Sequence, residues 1–319
     1  MITATGFNEL KETLRYLDQV PFDVTRKELY TAAELYKGFD PADEDSFNRC
    51  FDSIVYQQYK VMGQHAHSVR ELLARNLHDH CIHTALARFF KNHDHRRCVG
   101  IMGGHALLRT DTMFRSIAHL SWRLTREGFV MLSGGGPGAM EATHLGAWMA
   151  SRSARELDDA LQMIAIAPSF RDKGWLASAF RVIEKYPQEK YASLGIPTWL
   201  YGHEPSTPFA THIAKFFENS LREDNILTLA FGGIIYAPGS AGTLQEIFQE
   251  AVQDHYLSYG FASPMIFLGR RFWTEEIPVY PLLEHLMKTG KYKNLLLSIT
   301  DNPSDILATL TQFHTTQGQ

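Results

Sequence analysis

Cysteine is scarce in this chain: three among 319 residues, at Cys50, Cys81 and Cys98. An odd and widely spaced set gives no disulfide framework, so reduced thiols in a cytoplasmic protein are expected. Neither sign of charge dominates. The 31 lysines and arginines against 35 aspartates and glutamates leave a formal net charge of −4, which offers no general attraction to nucleic acid or to anionic lipid. No apolar run approaches the length of a bilayer span. The opening stretch MITATGFNELKETL holds no apolar signal core. No nucleic-acid and no membrane partner is therefore expected. Internal repeats and low-complexity tracts are lacking as well.

What is present is ordinary globular material. Hydrophobic residues make up 45% and charged residues 21%, enough apolar content for a large core. Residues 1–95 read as a helical N-terminal extension that caps the main domain or joins a dimer. Phe7, Leu10, Leu14 and Leu17 recur at helical spacing, as do Leu72, Leu73, Leu77, Ile82, Leu86 and Phe89. Pro21 and Pro41 break the helices. The texture changes at Arg97, and residues 96–319 read as one α/β domain. Apolar strands are predicted at 98–102, 129–132, 163–166, 198–201, 233–236, 264–268 and 295–299. Helices are predicted at 111–127, 209–223 and 243–256, with others opening near Pro137 and Ser304. The polar stretch 151–159 reads as a surface insertion. This alternation implies a Rossmann-like parallel sheet with helices on both faces, which binds ligands at the carboxyl ends of its strands.

Two glycine clusters sit at such ends. Gly134-Gly135-Gly136-Pro137-Gly138-Ala139-Met140-Glu141 joins a strand to a helix. Glycines there admit close approach of a ligand, and the free N–H groups and dipole of the helix start favour an anion. A phosphate is the natural guest; a tight turn without ligand is the bland alternative. Pro238-Gly239-Ser240-Ala241-Gly242-Thr243-Leu244-Gln245-Glu246 repeats the arrangement. Thr243 either caps the helix or bonds a phosphate oxygen. Glu246 alone would read as a capping carboxylate, but two such turns can face each other across one crevice. Gly104 and His105, at the end of the first strand, are further candidates for ligand contact.

At these residues the chain resembles the Lonely Guy family of nucleoside 5'-monophosphate phosphoribohydrolases, long labelled "lysine decarboxylase-like". The family pattern is GGGxxGxM, then an arginine on a helix, then PGGxGTxxE. Gly134 to Met140 match the first part, and Pro238, Gly239, Gly242, Thr243 and Glu246 the last. Arg222 stands near the place of the arginine. Ser240 replaces the second glycine of PGG, and Gln245 a frequent Glu. The resemblance spans about residues 97–268. The long segment 168–230 and the N-terminal helices make the chain more similar to the larger bacterial nucleotide nucleosidases than to the compact plant-type members.

The resemblance implies hydrolysis of the N-glycosidic bond of a nucleoside 5'-monophosphate, giving a free base and ribose 5-phosphate, with no cofactor, in a homodimer or higher homo-oligomer. Glu246 would stabilise an oxocarbenium-like ribose and orient or deprotonate water. Arg222 would pair with the phosphate or hold Glu246. Gly134, Gly135, Gly136, Gly138, Met140, Gly239, Ser240, Ala241, Gly242 and Thr243 would cradle phosphate and ribose, with Gly104 and His105 beside them. Glu250, one turn beyond Glu246, is a second carboxylate or part of a solvated face, and the solvated face is preferred. The cluster His78, His80, Cys81 and His83, with His93 and His95 nearby, lacks a standard zinc spacing, so no metal is expected. Lys173 and Lys215 find no other support for a Schiff base. A non-catalytic nucleotide or cofactor carrier on the same fold is the alternative. An NAD enzyme is disfavoured, because Gly103-Gly104-His105 stands where GxGxxG is needed.

Overall fold

The computed structural model describes the backbone of residues 4–317 and the side chains of residues 11–315. Seven strands form one sheet: β1 Cys98–Met102, β2 Val130–Ser133, β3 Ser193–Gly195, β4 His212–Ile213, β5 Gly233–Tyr236, β6 Pro264–Leu268 and β7 Leu296–Thr300. Their order is β4-β3-β2-β1-β5-β6-β7. Every pairing within it is parallel. The helices are α1 Ala4–Leu17, α2 Ala32–Leu35, α3 Phe51–Met62, α4 Val69–Phe89, α5 Thr112–Arg126, α6 Ala139–Trp148, α7 Ala154–Ile164, α8 Trp175–Lys185, α9 Asn219–Thr228, α10 Ala241–Tyr256, α11 Val279–Lys288 and α12 Pro303–Gln317. This is a Rossmann-like α/β fold.

The central strands β1, β5 and β6 are buried along their whole length because both faces are covered. Alternate residues of β1 divide between two cores. Val99 and Ile101 face α5, α6 and α12 through Phe114, Leu145 and Leu310. Cys98 and Met102 face a second cluster with Ile247 and Ala251 of α10, Trp199, and Phe22, Tyr30, Ile82 and Leu86 from the N-terminal segment. Segment 22–89 thus shares a core with the sheet. Leu72 and Leu73 are exposed, while Ile82, Leu86 and Phe89 are buried. In α1, Leu14 is exposed and Leu17 packs on the core; the side chains of Phe7 and Leu10 lie outside the described residues.

Several predicted elements are corrected. The run 163–166 is not a strand but the end and exit of α7, whose buried Leu157, Ala160, Leu161 and Ile164 follow helical spacing. The stretch 151–159 is no surface insertion either. Ser153 and Glu156 form a capping box that starts α7. Residues 198–201 are not a strand: Thr198 Oγ1 accepts Leu200 N at 3.1 Å and opens a single 3₁₀ turn. The strands on that side are the three residues of β3 and the two of β4. The helix predicted at 209–223 begins ten residues later, at Asn219.

Candidate active site

The strand order reverses between β1 and β5, which opens a crevice at their carboxyl ends. Gly103-Gly104-His105 leaves β1 there, and Ala237-Pro238-Gly239 leaves β5. Gly104 N donates to Pro238 O at 3.0 Å, and Ala139 N donates to Gly104 O at 3.2 Å. Three loops are therefore laced together by backbone. Gly138 has φ +69°, and a Cβ there would sit 2.5 Å from Gly104 O, so a side chain would push the loops apart.

The first glycine turn is buried. Ser133 Oγ accepts Gly135 N at 3.1 Å and meets His144 Nε2 at 2.9 Å; His144 Nδ1 meets Ser193 Oγ at 3.0 Å. Burial pushes the imidazole of His144 down to about 3, so it is neutral and ties β2 to β3. A Cβ on Gly134 would collide with Arg222 Nη2 and lie 2.7 Å from Met140 Sδ. One on Gly136 would lie 2.8 Å from Met140 Cε. Gly135, at φ +70°, would press on Gly195 and Pro197. These glycines admit Arg222 and Met140 into the floor of the cleft, and of this motif only Met140 lines it. Gly134→Ala is accordingly expected to displace Arg222. Turnover should fall at least tenfold while the circular dichroism spectrum is kept; wild-type kinetics would show that the arginine does not need this space.

Arg222 rides on α9. The residues that lead into that helix are anchored from elsewhere in the chain: Asp79 of α4 accepts Phe217 N at 3.0 Å and Glu218 N at 2.8 Å. His78 Nδ1 lies 2.9 Å from Asp79 Oδ1, and its Nε2 lies 2.8 Å from Tyr30 Oη. The N-terminal segment therefore holds the start of the arginine's helix. Arg222 Nε donates to Ile196 O at 2.9 Å and Nη1 to Glu223 Oε1 at 2.6 Å. Nη1 also stands 3.9 Å from Glu246 Oε1. Nη2 makes no hydrogen bond among the described residues.

Glu246 is buried in the second turn of α10. Burial raises its carboxyl to about 7; Arg222 opposes that rise and Glu223 adds to it. At the start of α10, the first i→i−4 bond is Leu244 N to Ser240 O at 2.9 Å. The N–H groups of Ala241, Gly242 and Thr243 precede it and have no partner among the described residues. Ser240 makes no side-chain cap. Gly239 is needed because a Cβ would collide with Thr243 and lie 3.1 Å from Gly104 N. Nothing lies within 4 Å of a Cβ on Gly242, so that residue faces open space.

The solvated face preferred for Glu250 is corrected: it is 4% exposed. Ser263 Oγ donates to its Oε1 at 2.6 Å, and Ser263 N donates to Asp254 Oδ1 at 3.0 Å. Burial raises Glu250 to about 7 and Asp254 to about 8. Groups raised in the folded state favour folding most below their unfolded values, and that advantage is lost as pH rises through the folded values. The contribution of these two carboxyls to stability should therefore decline from about pH 4 to 8. Glu250→Gln keeps the bond from Ser263 and removes the charge. It is expected to add ~1–3 kcal/mol at pH 8 and little at pH 5, as read by denaturant melts at both. Equal effects at the two pH values would contradict this.

One cleft of about 380 Å³ gathers Gly104, His105, Met140, Arg222, Ser240, Ala241, Gly242, Thr243 and Glu246. It also takes in Tyr201, Glu204, Glu223 and Gln245, to which the reading of the sequence gave no role. A loop between Gly202 and Pro205 carrying an acid was the only signal for Glu204. Lys215 is spent in the core, with Nζ 2.6 Å from Asp52 Oδ1 and 3.1 Å from Ser206 Oγ. His83 meets Asn225 Oδ1 at 3.2 Å. Among the described residues no group of three or more His, Cys, Asp or Glu side chains is placed to hold a metal ion.

No family model matches this chain, and no curated protein matches it. Solved structures do. The molybdenum cofactor binding protein from the phototrophic bacterium Rippkaea orientalis is 16% identical, with 68% of this chain and 96% of that one covered and a TM-score of 0.41. The protein TM1055 is likewise 16% identical, with 67% and 98% covered and a TM-score of 0.44.

Proposed function

We propose that this chain hydrolyses the N-glycosidic bond of a nucleoside 5'-monophosphate, releasing base and ribose 5-phosphate. The observation that carries the reading is the buried Arg222–Glu246 pair, 3.9 Å apart, in one cleft with the unpartnered N–H groups at the start of α10. A binder needs the anion site; it has no use for a carboxylate that lines the same cleft beside an arginine.

The phosphate sits on the N–H groups of Ala241, Gly242 and Thr243, where the helix dipole favours negative charge. Arg222 Nη2 supplies a further donor. On this reading C1' of the ribose lies beside Glu246. As the C1'–N bond breaks, its electron pair leaves with the base and the ribose becomes cationic. Ionised Glu246 stabilises that charge and takes a proton from the attacking water, whose oxygen bonds C1'. The base gains a proton from solvent, and Glu246 returns its own. The assembly is a homo-oligomer, as the resemblance implies, and the setting cytoplasmic, as the few and widely spaced cysteines suggest.

Nucleosides without phosphate forgo the binding energy that holds the ribose in place. Their kcat/KM should be ~10²-fold or more below that of the monophosphates in a base-release assay. Equal rates would remove the anion site from the mechanism.

A further inference from the structure

In the same cleft as the reacting pair stands a carboxylate that the hydrolytic reading leaves unused. The side chain of Glu204 is only 16% exposed, yet it accepts no hydrogen bond among the described residues. Its nearest basic groups are His105 Nδ1 at 3.6 Å and His203 Nε2 at 3.8 Å, both beyond hydrogen-bond reach. Its Oε2 is 3.8 Å from where a Cβ of Gly136 would lie, which places it over the floor formed by Met140. With no donor from the protein, its oxygens face the cleft, where the N–H groups of a ligand can take the place of water.

The loop that carries it is held in place. Glu204 N donates to Tyr201 O at 2.8 Å, and Thr207 N to Gly135 O at 2.8 Å. A Cβ on Gly202 would collide with the Tyr56 ring of α3. Ser206 is gripped on both sides, by Lys215 Nζ at its hydroxyl and by Tyr36 Oη at its carbonyl. Beside Glu204 the rings are open: Tyr201 is 44% exposed, and His105 is 45% exposed with Phe170 edge-on to it at 6.3 Å. Flat, half-exposed rings next to an acceptor suit a flat partner that carries N–H groups.

Resting on the reading of the site as a nucleotide hydrolase, we infer that Tyr201, His105 and Glu204 form its base subsite and that Glu204 selects a base with two adjacent N–H donors on one edge. Guanine offers this edge through N1–H and the 2-amino group, which match the two carboxylate oxygens. Hypoxanthine offers one of the two. Adenine and cytosine set a ring acceptor beside their amino group, and uracil flanks its N–H with carbonyls, so each turns lone pairs toward the carboxylate. Each charge-assisted bond lost is worth about tenfold or more in discrimination.

The test compares kcat/KM for GMP, IMP, AMP and 2'-deoxy-GMP, alone and in competition, on the full chain and its Glu204→Gln variant. Expected is GMP above IMP by about tenfold and above AMP by ~10²-fold. In Glu204→Gln the three should come within about tenfold of one another, and 2'-deoxy-GMP should lose as much as GMP. Equal use of all bases by the wild type would overturn the inference and leave the hydrolase standing. So would a uniform loss in Glu204→Gln that spares 2'-deoxy-GMP, since Glu204 would then hold the ribose hydroxyls. If no nucleotide is cleaved, the hydrolase reading fails by itself. Calorimetry of GMP and AMP then decides the subsite: tighter GMP binding that Glu204→Gln abolishes supports it, and equal binding overturns it.

Discussion

Glu246→Gln is expected to lower kcat by ~10²–10³, with KM for the monophosphate within a few-fold of wild type. The amide keeps the size and position of the carboxyl and deletes the charge that meets the oxocarbenium carbon. That charge counts most in the transition state, so the loss belongs in kcat, and its size is that of one preorganised electrostatic group. Because burial lifts Glu246 to about 7 and the ionised form is the active one, wild-type kcat/KM should climb with pH through about 7 and level above it. This rise lies above the second ionisation of the substrate phosphate, near 6. Glu246→Gln should lack it. A variant with wild-type kcat and an unchanged pH profile would reduce Glu246 to a buried residue of α10 with no part in the reaction.

Arg222→Ala should cost more, ~10³ or beyond in kcat/KM, and raise KM as well. Two things go at once. The donor at Nη2 is lost to the phosphate, and Glu223 and Glu246 are left buried without the guanidinium between them. Removing one member of a buried charge pair is strongly unfavourable. Arg222 also holds Glu246 down against the effect of burial, so the residual activity should need a higher pH. Circular dichroism at the assay temperature separates this from unfolding. A KM equal to wild type would mean that Arg222 does not touch the phosphate.

The central strands were legible because β1, β5 and β6 are buried on both faces and read as unbroken apolar runs. β3 and β4 were not. They hold three and two residues, include Ser193 and His212, and owe their pairing to neighbours brought in by the rest of the chain. The runs 163–166 and 198–201 misled for opposite reasons. The first ends an amphipathic helix whose polar half reads, in the sequence alone, as an insertion. The second has β-favouring side chains, but Pro197 precedes it and Thr198 caps its own turn. Within the site, Glu246 and the second glycine turn were visible as a local motif, and Arg222 only through the resemblance. The work of Gly134 and Gly136 was not, because what they accommodate is Arg222 and Met140, a relation that exists only in three dimensions. Glu204 and Tyr201 sit in an irregular loop with no spacing to read, and Asp79 anchors the entry to a helix 139 residues away.

The most direct test of the central claim is product identification. The purified full chain is incubated with each nucleoside 5'-monophosphate at pH 8, and free base and ribose 5-phosphate are quantified together, with Glu246→Gln as the control. The account predicts base and ribose 5-phosphate in one-to-one amounts from at least one nucleotide, and a signal lower by ~10²-fold or more in the control. Nucleotide binding with no free base above that control would contradict it and would make the chain a carrier built on this fold.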